Sequence, residues 1–117
     1  MNIEEFRDYC LSMKGTSEDL PFDENTLVFK VMGKMFALTD LDNFESINLK
    51  CDPEKAIELR EQYPAVQPGY HMNKKHWNTV LNNAGIPDTL MKQWIRDSYD
   101  LVVAGMPKKL RDQLNNL

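Results

Sequence analysis

The chain has no hydrophobic run approaching the roughly 18 residues of a bilayer-spanning helix, which excludes such a helix. Its first residues, Met1-Asn2-Ile3-Glu4-Glu5-Phe6-Arg7-Asp8, lack the basic and apolar regions of a signal peptide. The expectation is a cytoplasmic chain with no membrane contact. Cysteine is scarce: Cys10 and Cys51 stand 41 positions apart, in neither Cys-x-x-Cys nor Cys/His spacing, which argues against a metal site. Both fall at core-facing positions, where reduced thiols are the better reading than a disulfide. Histidine is limited to His71 and His76, and no internal repeat or low-complexity tract is present. An excess of positive charge is also missing. With 14 Lys and Arg against 18 Asp and Glu, the net charge of −4 speaks against a protein that coats nucleic acid indiscriminately.

What is present is an ordinary globular composition over 117 residues, with 42% hydrophobic and 27% charged side chains, enough for one domain spanning 1–117. The acidity is uneven. Residues 1–26 carry a net of −5, residues 27–80 a net of zero and residues 81–117 a net of +1, so a locally basic surface is allowed.

Residues 2–14 read as an amphipathic helix, with Ile3, Phe6, Cys10 and Met13 on one face, Asn2 as N-cap, Lys14 in the last turn and Gly15 as the C′ residue. Residues 16–26 read as an acidic connection, with Leu20 and Phe22 anchoring it on the core and Pro21 disfavouring regular structure. The period then changes to that of strands. Leu27, Phe29 and Val31 alternate, Gly33-Lys34 is a turn, Met35–Thr39 resumes a strand, and Ile47, Leu49 and Cys51 alternate with Ser46, Asn48 and Lys50. Asp52-Pro53 opens a helix running to about Gln62 that buries Ala56 and Leu59. Trp77–Leu81 is a further strand, residues 88–104 a long helix with Gly105 and Pro107 beyond it, and residues 108–114 either a short polar closing helix or a fraying end. The order α-β-β-β-α-β(-β)-α implies an α+β fold with an antiparallel sheet, its helices on one face and its other face at least partly solvated.

The most distinctive stretch is Pro68-Gly69-Tyr70-His71-Met72-Asn73-Lys74-Lys75-His76-Trp77-Asn78-Thr79-Val80, which holds both histidines, one of the two tryptophans and a Lys-Lys pair. On a strand the two histidines would point to opposite faces, so they make a poor metal pair. Neither has a nucleophile or carboxylate partner in a recognisable pattern, and structural histidines are the better account. Ser98, on the apolar stripe of the long helix, reads as a small residue that permits close packing. Catalysis, metal and cofactors are therefore not expected.

That stretch, with Ile47-Asn48-Leu49-Lys50-Cys51-Asp52-Pro53 before it and Asp97-Ser98-Tyr99-Asp100-Leu101-Val102 after it, closely resembles the MmcQ/YjbR family of small bacterial proteins. The resemblance covers nearly the whole chain. It implies a two-layer α-β(3)-α-β(2)-α fold similar to secretion chaperones, and it carries a DNA-binding label resting on two wing-like elements. Carried onto this chain, the label points to Lys74, Lys75, His76 and Trp77, and to the hairpin turn at Gly33-Lys34.

With Lys30 and Lys50 at outward strand positions, Lys34, Lys74 and Lys75 could grip phosphates of double-stranded DNA, and Tyr70 and Trp77 could stack on bases if exposed. The competing reading makes the lysines a solvated face and puts Trp77 in the core. Two further readings stand beside nucleic-acid binding. One is a protein partner, in a chaperone-like adaptor. The other is a small ligand in a cleft built from Tyr70, His71, His76 and Trp77. A monomer is expected.

Overall fold

The computed structural model describes residues 1–70 and 72–117. In chain order its elements are α1 (Ile3–Ser12), β1 (Thr16–Asp19), β2 (Thr26–Val31), β3 (Lys34–Asp40), β4 (Ser46–Lys50), α2 (Pro53–Gln62), β5 (Val66–Pro68), β6 (Trp77–Leu81), α3 (Asp88–Ala104) and α4 (Lys108–Asn115). The strands form one antiparallel sheet in the order β1-β2-β3-β4-β6-β5. The fold is α+β, as the alternation of periods implies.

The main core lies between one face of the sheet and the helices. Leu27, Phe29 and Val31 of β2, Phe36 and Ala37 of β3, Ile47 and Leu49 of β4 and Val80 of β6 meet Phe6 and Cys10 of α1, Leu59 of α2 and Trp94, Ile95 and Tyr99 of α3. Edge-to-face ring pairs fix their relative orientation: Phe6 with Phe29 at 5.3 Å and Phe36 with Tyr99 at 5.5 Å. Local chemistry agrees with this packing. Asn2 and Glu5 form a reciprocal capping box at α1, worth about 1 kcal/mol. Asp52 Oδ2 accepts the N–H groups of Glu54 and Lys55 at the start of α2.

Four expectations are corrected. First, α1 stops at Ser12, with Met13 already extended. Lys14 lies beyond the helix, and Gly15, at φ +74°, shapes the turn into β1 rather than capping α1. Second, the acidic connection contains β1, whose alternation lies in polar residues. Thr16 and Glu18 are half-buried towards α1 while Ser17 and Asp19 face out. A fork from Arg7 Nε and Nη2 to Glu18 at 2.7 and 2.5 Å holds the strand against α1. Third, Leu20 and Phe22 do not anchor that connection on the core. They are 45% and 65% exposed, because the chain leaves the sheet edge after Asp19. Fourth, the β2–β3 turn is Met32-Gly33, at φ +49° and +81°, and Lys34 pairs with Val31 as a strand residue. Two successive left-handed residues suit a two-residue hairpin, whose twist matches that of the strands.

The face of the sheet away from the helices is not bare. Val28, Leu38 and Trp77 form a second cluster there, with Met35 and Met72 packed on it. Trp77, offered as a stacking platform if exposed, is only 7% exposed because Val28, Leu38, Met35 and Met72 pack with it.

Candidate functional site

In an antiparallel sheet the start of β3, the end of β4 and the start of β6 share one end. Lys34 faces Val31 across the hairpin turn, and Lys50 faces Trp77. Lys34, Lys50 and the 73–76 turn are therefore gathered together. Lys34, Met35, Lys50 and Trp77 line a groove of about 500 Å³ whose far wall is Gly105, Met106 and Pro107, the connection between α3 and α4. The first carboxylate after Lys50 is Asp52, which is occupied as the cap of α2. The opposite end is its electrical counterpart. Residues 19–26 and 40–46, which close the strands there, carry six carboxylates and no cation. Charge is thus separated along the strand axis, which a net charge of −4 conceals.

The residues singled out by sequence are not equivalent in this arrangement. Lys34 and Lys75 are exposed, and Lys50 and His76 are half-buried. Lys74 bends back, its Nζ donating to the carbonyl of Gly69 at 3.1 Å, so its charge helps close the loop. His76 sits in a turn rather than on a strand, and its carbonyl accepts the Cys51 N–H at 2.7 Å. Trp77 lines the groove but is too buried to serve as a stacking platform. Tyr70 is 69% exposed, with its N–H donated to Thr79 Oγ1 at 2.9 Å. His71 lies outside the described residues. Lys30 turns to Asp19 at 3.4 Å.

Sequence reading missed the residue that holds the loop. Arg60, on α2, donates from Nε to Asn78 Oδ1 at 2.7 Å and from Nη2 to the carbonyls of Lys74 and Trp77. One planar guanidinium thereby ties α2, the basic turn and β6 together. A signal existed: Ala56, Leu59, Arg60 and Tyr63 recur at helical spacing on one face of α2.

On the open face, Phe22, Leu38, Tyr70 and Met72 border a groove of about 590 Å³, with Asp23, Asp40 and Glu45 among its lining. Bonds from the N–H groups of Asn25 and Thr26 and from the Thr26 hydroxyl hold the Asp23 carboxyl below its ordinary range. Among the described residues, no group of three or more His, Cys, Asp and Glu is placed to hold a metal ion, and no helix is long and apolar enough to cross a membrane.

Comparison with known proteins places this geometry in context. A family model described as YjbR matches residues 11–101. Uncharacterized protein YbdF of Escherichia coli O157:H7 is 46% identical over 94 residues, covering 80% of this chain and 75% of that protein. Uncharacterized protein YjbR of Escherichia coli K12 is 32% identical over 118 residues, the full length of both. The crystal structure of Deinococcus radiodurans protein DR2400 superposes with a TM-score of 0.90 at 40% identity, over 97% of this chain and 88% of that one.

Proposed function

The chain belongs to the YjbR family, and from that premise we propose that it is a small binding module contacting the phosphate backbone of double-stranded DNA through the lysine-bearing end of its sheet. The observation that supports this reading is the convergence of Lys34, Lys50 and the 73–76 turn at one end, away from the six carboxylates at the other. Lys34 and Lys75 are the outer contacts, and Lys50 and His76 lie between them. Lys108 and Lys109, in the first turn of α4, flank the same groove wall. Lys74 and Trp77 act by shaping the loop, not by touching DNA. Such contacts position a duplex without reading its bases.

The test is fluorescence anisotropy of a labelled duplex, titrated at low salt. With about four phosphate contacts, log K should fall against log salt with a slope near −4. The double variant Lys34→Glu/Lys75→Glu should weaken binding by more than about tenfold, while Lys92→Glu, on α3 beside Tyr9, should leave it unchanged. No binding at low salt, or equal binding by the two variants, overturns the proposal.

A second reading, a protein-binding adaptor, is supported by the open-face groove. Exposed Phe22 and Tyr70 stand at its sides and Asp23, Asp40 and Glu45 line it, which suits a basic segment with apolar side chains. A pull-down that survives nuclease and is lost in Phe22→Asp would favour it.

A further inference from the structure

The three sequence strings that carry the family resemblance are far apart in the chain, yet they meet at a place the DNA-binding reading does not use. Leu49, Cys51 and Asp52 come from the first string, Asn78 and Val80 from the second, and Asp97 and Leu101 from the third. Together they line one cavity of about 170 Å³ between β4, β6, α2 and α3. Leu59 and Trp94 complete its apolar wall, and Lys55 lies at its rim. A cavity of about 150 Å³ with comparable walls is known to accept a benzene ring.

Its polar lining has a sign. Lys50 contributes backbone, since alternation turns its side chain to the opposite face of the sheet beside Trp77. That leaves two carboxylates, Asp52 and Asp97, against the single ammonium of Lys55, which also approaches Glu58 at 3.9 Å. Asp52 Oδ2 caps α2 and Asp97 Oδ1 accepts from Gln93 Nε2 at 2.7 Å, and each carboxylate has acceptor capacity to spare. Asn78 is neutral, with its Oδ1 accepting from Arg60 Nε and its Nδ2 donating to the Ala56 carbonyl. Cys51 reports the local potential: after burial, Asp52 and Asp97 push its thiol up more than Lys55 and Arg60 push it down. A cationic group is therefore favoured at the mouth, and an apolar body of single-ring size within.

We propose that this cavity is a ligand site for a small primary amine carried on an apolar or aromatic body, with Asp52 and Asp97 holding the ammonium and Leu49, Leu59, Val80 and Trp94 enclosing the body. The site adjoins the basic end of the sheet, sharing Lys50 and Leu101 with the groove there. Neither Asp52 nor Asp97 is a proposed DNA contact, so it stands whether or not DNA is bound.

Benzylamine, benzyl alcohol and benzoate are matched probes that differ only in head group. In amide NMR titrations of the full chain, benzylamine should bind in the roughly millimolar range its size allows. It should shift the signals of Cys51, Asn78 and Leu101 and slow alkylation of Cys51 by iodoacetamide, while the other two probes bind more weakly. Asp97→Asn should weaken benzylamine by about tenfold. Leu101→Trp should fill the cavity and abolish binding with the rest of the spectrum unchanged, and Leu101→Phe serves the same purpose where the indole is not accommodated. Three results overturn the proposal: no shift with benzylamine, benzoate or benzyl alcohol binding as well as the amine, or full binding retained in the filled variant.

Discussion

Ser98 bridges a gap in the sheet to Lys50: its Oγ accepts the Lys50 N–H at 2.9 Å and donates to the Phe36 carbonyl at 2.6 Å. The gap has a local cause. The register between β2 and β3 shifts at Phe29/Lys30, so Phe36 has no partner on β2, and β3 pairs with β4 only over residues 37–39. Ser98, fully buried on α3, supplies from the helix what the neighbouring strand cannot. Compactness was the property its place on the apolar stripe suggested, and its hydroxyl proves equally important.

Ser98→Ala therefore leaves a backbone donor and a backbone acceptor without partners. Each such loss costs about 1–3 kcal/mol when buried, so a total of about 2–6 kcal/mol is expected in urea denaturation. A loss below about 0.5 kcal/mol would mean that water or a strand shift replaces the hydroxyl.

Arg60→Ala should act on the 69–76 loop more than on the whole fold. Three oxygens lose a donor, those of Asn78, Lys74 and Trp77. Amide exchange should quicken at residues 73–77, and stability should fall by about 2 kcal/mol. Arg60→Lys should not restore protection, because a single ammonium cannot reach oxygens spread over a planar fork. Rescue by lysine would show that charge, not geometry, holds the loop. Anisotropy titrations of both variants would measure how far loop order supports the proposed DNA contact.

Much of this architecture was legible in the sequence because its signals are local. Ile47 and Leu49 announce their strand by alternation, Asp52-Pro53 announces a helix start, and Trp77–Leu81 was bounded to the residue. What was illegible depends on distant partners. β1 has no apolar alternation of its own and exists because β2 offers a free edge and Arg7 a fork. Met32 takes a left-handed conformation that a Gly33-Lys34 turn would not have required. Trp77 could be assigned to core or surface only once Val28 and Leu38 were known to share its face. The lysines were legible as residues, but their collection at one end of the sheet needed the registers.

Alkaline pH should expose the role of the buried Cys10 thiol and the half-buried Cys51 thiol. Burial pushes the Cys10 thiol far up, and burial with Asp52 and Asp97 raises Cys51. The unfolded chain ionises first, near the ordinary value of about 8.5. The folded state's retention of these protons thus contributes stability that is complete below that pH and is lost as pH rises towards the higher folded values. Urea denaturation across this range should show stability falling above about pH 8.5, and Cys10→Val should flatten the fall. An unchanged alkaline limb in that variant would assign the loss to other groups.

Gly69 gives the sharpest test of how the loop is built. Its N–H donates to the Trp77 carbonyl at 2.8 Å, and a Cβ at this position would lie 2.8 Å from both the Trp77 Cβ and that carbonyl oxygen. Neither atom is the flexible end of a side chain, so the backbones must separate, and the Gly69 to Trp77 hydrogen bond with them. Gly69→Ala should cost about 1–3 kcal/mol, the range for forcing an extra methyl into a packed site. Gly33→Ala, where a Cβ meets no atom within 4 Å, isolates the cost of a positive φ alone. Because Trp77 is packed under the loop, Gly69→Ala should also shift indole fluorescence to the red, which Gly33→Ala should not. Equal fluorescence in the two variants would show that the loop yields without moving Trp77, and that close backbone approach is not what seals this face of the sheet.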